Sequence, residues 1–148
     1  MIEFRGAISP EDEALIDRMD RICFPLDTPA VFASARWSIG WDAVEPAAYC
    51  AWKTVEFDGV VVGFHYRGGV LPAYRGRGLQ RRMLELREGQ MKQQGLARAV
   101  TYTDADGAAS MRNLIAEGYR PYAPMPATTL SGIGRLGRVG FVHWEKAL

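Results

Sequence analysis

Apolar and polar residues alternate from Ile2 to Ala7, the period-two pattern of a strand with one face in a core and one in solvent. Ser9-Pro10-Glu11-Asp12 then reads as a helix start, with a capping serine, a proline at the first helical position and acids where the macrodipole favours negative charge. Leu15, Ile16, Met19 and Ile22 recur behind it at helical spacing. Pro25, Asp27 and Pro29 stop this helix, and Ala30 to Ala35 is expected to form a short second one before a strand around Trp37, Ile39 and Trp41. Asp42 to Pro46 is predicted as a turn, Ala47 to Phe57 as a strand, Asp58-Gly59 as a two-residue hairpin and Val60 to Leu71 as the returning strand. Three antiparallel strands are therefore expected ahead of Pro72.

Leu79, Met83 and Leu86 mark a long helix that should stop near Gly95. Ala97 to Thr103 has the β-branched and aromatic enrichment of a buried strand. Asp104-Ala105-Asp106-Gly107 leads into a short helix, Ala108 to Glu117, closed by Gly118 and followed by Tyr119-Arg120-Pro121-Tyr122. A Pro- and Gly-rich stretch precedes a last strand near Gly140 to Glu145. Strands before and after a central helix suit a mixed sheet.

The most informative stretch is the junction between the fourth strand and the central helix, Val70-Leu71-Pro72-Ala73-Tyr74-Arg75-Gly76-Arg77-Gly78-Leu79-Gln80-Arg81-Arg82. Two glycines alternate with arginines where a helix begins. Backbone N–H groups there lack intrahelical partners and can converge on one anion. A phosphate cradle follows from that arrangement. It is not a P-loop, because no Gly-Lys-Ser/Thr end occurs in the chain. Nor is it a dinucleotide fingerprint, because Arg81 stands where the third glycine is needed. Gly132-Ile133-Gly134-Arg135-Leu136-Gly137 does match GxGxxG, but only 11 residues follow it, too few for a βαβ unit. It reads instead as a loop that borders an acceptor site together with Pro124 and Pro126.

Composition narrows the classes. With 148 residues, 48% of them hydrophobic, the chain can build one compact core. A net charge of +1 gives no global field for nucleic acid or anionic membrane. There is no apolar run of membrane-spanning length and no signal-peptide core at the N-terminus, so a single cytoplasmic domain is expected. Cys23 and Cys50 are too few and too far apart for a disulfide framework or a CxxC site, and His65 and His143 lie in no metal-ligand pattern. No metal is implied.

Val70-Leu71-Pro72 followed by Arg75-Gly76-Arg77-Gly78-Leu79-Gln80 resembles the GCN5-related N-acetyltransferases (GNAT), in which a Val-x-Pro strand end runs into Arg/Gln-x-x-Gly-x-Gly/Ala. Gln80 stands where that family usually has Gly or Ala. Ser110, Asn113, Gly118 and Tyr119 match its later helix, while Gly107 replaces a usual Asn and Leu114 a usual Tyr. The resemblance implies an α/β (α+β) fold, a mixed, mostly antiparallel central sheet of 6–7 strands with about four helices on its faces. It also implies acetyl-CoA as cosubstrate, held by Val70, Leu71, Arg75, Gly76, Arg77, Gly78, Leu79, Gln80, Arg81, Ser110 and Asn113. Its partner is an amine acceptor, a small molecule or a protein; a homodimer is compatible.

Attack of an amine on a thioester needs a neutral amine, an oxyanion donor and a proton for the leaving thiolate. The resemblance assigns the oxyanion to a backbone N–H near Gly69 to Leu71, foremost that of Val70. The family often places a carboxylate base on this strand, but none occurs between Val60 and Leu71. His65 is the candidate base there, against the plainer reading of a hydrogen-bonded structural histidine. Asp104 and Asp106 are rivals that also read as turn and capping residues. For the acid, Ser110, Tyr102, Tyr119 and Tyr122 stay open beside solvent.

Arg75, Arg77, Arg81, Arg82 and Arg87 cluster, but Glu85 and Glu88 are interleaved, and Arg81/Glu85 and Glu88/Lys92 read as ordinary i,i+4 pairs on a solvated helix face. Nucleic-acid binding is disfavoured because no aromatic platform accompanies the cluster. Trp37, Trp41, Trp52 and Trp144 read most simply as core residues. The leading expectation is an acetyl-CoA-dependent N-acyltransferase. An acyl-CoA-binding regulatory domain with little turnover is the alternative.

Overall fold

The computed structural model describes residues 1–57, 59–123 and 141–148. Asp58, Pro124, Pro126, Gly140 and the Gly132 to Gly137 motif lie outside them. The elements run β1 (Ile2–Gly6), α1 (Pro10–Cys23), β2 (Arg36–Asp42), β3 (Glu45–Phe57), β4 (Val60–Val70), a 3₁₀ turn (Pro72–Tyr74), α2 (Leu79–Gln93), β5 (Arg98–Asp104), α3 (Ala108–Ala116), β6 (Arg120–Tyr122) and β7 (Phe141–Ala147). The strands form one seven-stranded sheet in the order β1-β2-β3-β4-β5-β7-β6. β1/β2, β2/β3, β5/β7 and β6/β7 pair antiparallel, and β4/β5 pair parallel. The expected mixed, mostly antiparallel α/β architecture is what the structure has.

By contacts the chain divides into two compact units, one of residues 1–53 and 66–83, the other of residues 54–65 and 84–148. In the first, the Ser9 hydroxyl caps α1 by accepting from the Asp12 N–H at 3.1 Å, and Pro10 opens the helix. Ile16 and Met19 of α1 pack with Trp37, Ile39, Tyr49 and Ala51 into one apolar cluster. The Asp42 to Pro46 turn is tighter than expected. β2 continues through Asp42 and β3 begins at Glu45, which leaves Ala43 at φ +53° at the corner.

The short helix expected over Ala30 to Ala35 is not there, so the described residues hold three α-helices where about four were expected. Six residues form too few i→i−4 bonds to offset helix nucleation. The segment instead follows tertiary contacts. Val31 N–H donates to the Tyr66 hydroxyl at 3.0 Å, the Phe32 ring lies 5.0 Å from Trp37, and Ser34 takes φ +62°.

In the second unit α2 crosses β4 at Gly63, where any Cβ would collide with the Met91 side chain. Val62, Phe64, Ala99, Val100, Leu114 and Trp144 are buried. Helix α3 begins at Gly107 with no side-chain cap and closes through Gly118 at φ +89°.

Candidate active site

The cradle is built on the end of β4 and the start of α2. Leu71 N–H donates to the Ala47 carbonyl at 2.9 Å, so the strand alternation turns the N–H and C=O of Val70 toward the opposite edge. At Leu71 the chain enters the 3₁₀ turn, with Tyr74 N–H donating to the Leu71 carbonyl at 2.9 Å. Gly76 and Gly78 then take φ +78° and +76°, conformations that L side chains rarely adopt. A Cβ at either would meet nothing within 4 Å, so both face open space rather than packed protein. Arg82 N–H reaches back to the Gly78 carbonyl at 3.2 Å, leaving the N–H groups of Leu79 and Gln80 ahead of the first helical turn. No acid sits in that turn to compete for an anion.

Cradle side chains divide by role. Leu79 is buried and anchors α2, so only its backbone can meet a ligand, while Gln80 and Arg81 are exposed. Arg75 Nε donates to the Val70 carbonyl at 3.0 Å. Arg77 donates to the Ala73 carbonyl at 3.3 Å and lies over the Tyr74 ring, and Arg82 donates to the Ile2 carbonyl at 2.8 Å.

Just behind this edge lies a polar cluster that composition alone does not reveal. Asp20, 2% exposed on α1, accepts both Arg67 Nε and Arg67 Nη2 at 2.8 Å and the Tyr49 hydroxyl at 2.6 Å. Burial and the Asp20 carboxylate push the Tyr49 phenol well above its ordinary range, so it stays a donor. Arg67 also donates to the Thr28 carbonyl at 2.7 Å and thereby ties down the segment after α1.

The remaining expected site residues belong to the second unit. His65 is 5% exposed, and its Nε2 lies within hydrogen-bond distance of the Tyr119 hydroxyl. Tyr119 donates to Glu88 Oε2 at 3.0 Å, and Lys146 donates to Glu88 Oε1 at 2.6 Å. A phenol has one proton, and a carboxylate is its stronger acceptor, so His65 Nε2–H donates to Tyr119. His65 Nδ1 is then a buried lone pair with no partner among the described residues. Burial first, then the charges of Arg87 and Lys146, hold this imidazole well below its ordinary pKa.

An imidazole so placed is neutral and enclosed, the arrangement of the structural alternative, and Tyr119 is likewise engaged inside the unit. Glu88 and Arg87 are buried as well, so they do not belong to the solvated helix face expected for α2; Glu88 pairs with Lys146 instead of Lys92. Ser110 is exposed in the first turn of α3 and Asn113 is half-buried one turn on. Asp104 and Asp106 are exposed, and their carbonyls accept Gly107 N–H at 3.0 Å and Ala108 N–H at 2.9 Å in the turn before α3.

No protein-family model matches the sequence, and no curated protein matches it. Solved structures share its fold. A ribosomal-protein-S18-alanine N-acetyltransferase from Escherichia coli superposes with a TM-score of 0.73 at 16% identity, over 99% of this chain and 94% of that one. An acetyltransferase of the GNAT family from Streptococcus pneumoniae gives 0.74 at 13% identity, over 100% of both chains. Arabidopsis thaliana Naa50, solved in complex with the bisubstrate analogue CoA-Ac-MVNAL, gives 0.78 at 12% identity, over 99% of both. The fold is that of the GNAT acetyltransferases.

Proposed function

We propose that this chain is an acetyl-CoA-dependent N-acetyltransferase that moves an acetyl group to a primary amine by direct attack on the thioester. The observation that carries the reading is the open turn at Gly76 and Gly78, which joins the end of β4 at Val70 to the N-terminus of α2. A pyrophosphate fits that turn, held by the N–H groups from Gly76 to Gln80, with Arg81 exposed beside it. Pantetheine then runs along the β4 edge from Gly69 to Leu71. Ser110 and Asn113 are the residues of α3 proposed to meet the cofactor.

Val70 N–H is the donor for the developing oxyanion. The amine arrives neutral, its nitrogen bonds to the thioester carbon, and the C–S bond breaks as CoA thiolate leaves. With His65 enclosed, the ammonium proton passes to water. A thiol pKa of about 8.5 makes the thiolate a fair leaving group without a dedicated acid.

The alternative, an acyl-CoA-binding domain with little turnover, draws on the absence of a carboxylate from β4 and the enclosure of His65. Thiol release from acetyl-CoA, followed against a panel of small amines and peptide N-termini, separates the two. Acceptor-dependent release supports the transferase; binding without release at any acceptor favours the binding domain, and failure to bind CoA sinks both.

A further inference from the structure

We infer that Arg75 is a positioning residue for the acyl-transfer end of the site rather than a ligand of the pyrophosphate, and that it acts through the carbonyl of Val70 together with Cys23. The inference rests on the acetyltransferase reading above and reassigns one residue within it.

The peptide joining Val70 to Leu71 is held at both polar ends. Its N–H donates to the Ala47 carbonyl at 2.9 Å on the β3 side. Its C=O accepts Arg75 Nε at 3.0 Å and the Cys23 thiol at 3.5 Å on the other side. In a strand the N–H and C=O of one residue point to the same edge, so the Val70 N–H emerges beside this doubly capped carbonyl. An uncapped carbonyl there would put negative partial charge next to a developing oxyanion.

Arg75 offsets that charge. Its Nε satisfies the carbonyl, and its guanidinium brings positive charge to the edge where the oxyanion forms. The Nε bond ties the head group to the strand end. Cys23 is a suitable second donor. Burial outweighs the Arg75 and Tyr49 hydrogen bonds that pull the other way and raises its thiol pKa, so it keeps its proton at neutral pH. It also comes from the last turn of α1, so two separate elements hold one carbonyl.

The test compares Arg75→Ala, Arg75→Lys, Cys23→Ala and Cys23→Ser with wild type. Calorimetric titration with adenosine 3′-phosphate 5′-diphosphate, which carries the pyrophosphate and lacks pantetheine, reads the cradle. Thiol release from acetyl-CoA reads the acyl end. Arg75→Ala should bind the fragment within about twofold of wild type, while its turnover falls at least about tenfold with little change in KM for acetyl-CoA. Arg75→Lys should recover part of that rate, and Cys23→Ser more of it than Cys23→Ala, since each restores a donor. The amide ¹H shifts of Val70 and Leu71 should move in Arg75→Ala, whether or not turnover is fast enough to measure.

Fragment affinity that drops tenfold in Arg75→Ala, or Val70 and Leu71 shifts that stay put, overturns the inference and leaves the acetyltransferase reading standing. A wild-type protein that binds neither the fragment nor CoA overturns both.

Discussion

The helical register of α1 and α2 places ionisable residues where apolar ones belong. Asp20 completes the stripe Ile16, Met19, Asp20, Cys23, and Arg87 and Glu88 complete Leu84, Arg87, Glu88, Met91. Arg87 and Glu88 are buried rather than on the solvated face expected for α2, and the partners of all three residues lie beyond any local pattern. Asp20 is matched by Arg67 and Tyr49, and Glu88 by Lys146 and Tyr119, residues 29 to 58 positions away in the chain. His65 is the member of the second cluster whose charge responds near neutrality. Its folded pKa is depressed, so between that value and about 6.5, where an unfolded histidine titrates, the unfolded chain binds a proton that the folded chain refuses. Stability contributed by His65 is therefore complete above about pH 6.5 and is lost as the pH falls below it, with a slope of up to about 1.4 kcal/mol per pH unit. Urea titrations at pH 7.5 and 5.5 should show wild type losing more stability than His65→Gln over that interval. Should the variant be too unstable, the ring-proton NMR titration of wild-type His65 gives the same answer, and a midpoint near 6.5 would refute the burial argument.

The turn into α2 was written plainly in the sequence because its requirement is local: two positive-φ positions need glycine whatever surrounds them. The Ala30 to Ala35 segment was not, because its alanines carry helix propensity while its conformation answers to Tyr66 and Trp37. This locality gives the cradle a clean test. Since a Cβ at Gly78 would meet no protein atom within 4 Å, Gly78→Glu adds bulk and negative charge to the anion site without displacing core. The left-handed conformation costs a non-glycine residue about 1–2 kcal/mol, a modest loss in chemical denaturation. CoA binding, in contrast, should fall below detection by calorimetry. Retained affinity would move the phosphate site elsewhere.

At the scale of the whole molecule, the four strands ahead of the cradle were legible as local apolar runs and turn signals, whereas the insertion of β7 between β5 and β6 is long-range pairing that no local pattern encodes. Charge at this scale also decides between partners. The net charge is only +1, and the acid-free run from Arg75 to Arg82 is the main local surplus. Three of its four arginines already donate to backbone carbonyls, so a polyanion would find little unengaged guanidinium there. A cofactor held mainly by backbone amides needs none of them. Acetyl-CoA at a hundred times its Kd should stabilise the fold by about 2.7 kcal/mol, or roughly 5–10 °C in Tm for a chain of this length. A short DNA duplex at matched phosphate concentration and physiological salt should leave Tm unchanged, because counterion release rewards only contacts that the cluster can make. Thermal denaturation with each ligand checks both halves, and a larger shift with DNA than with acetyl-CoA would mean that the arginine run, not the glycine turn, is the binding feature of this chain.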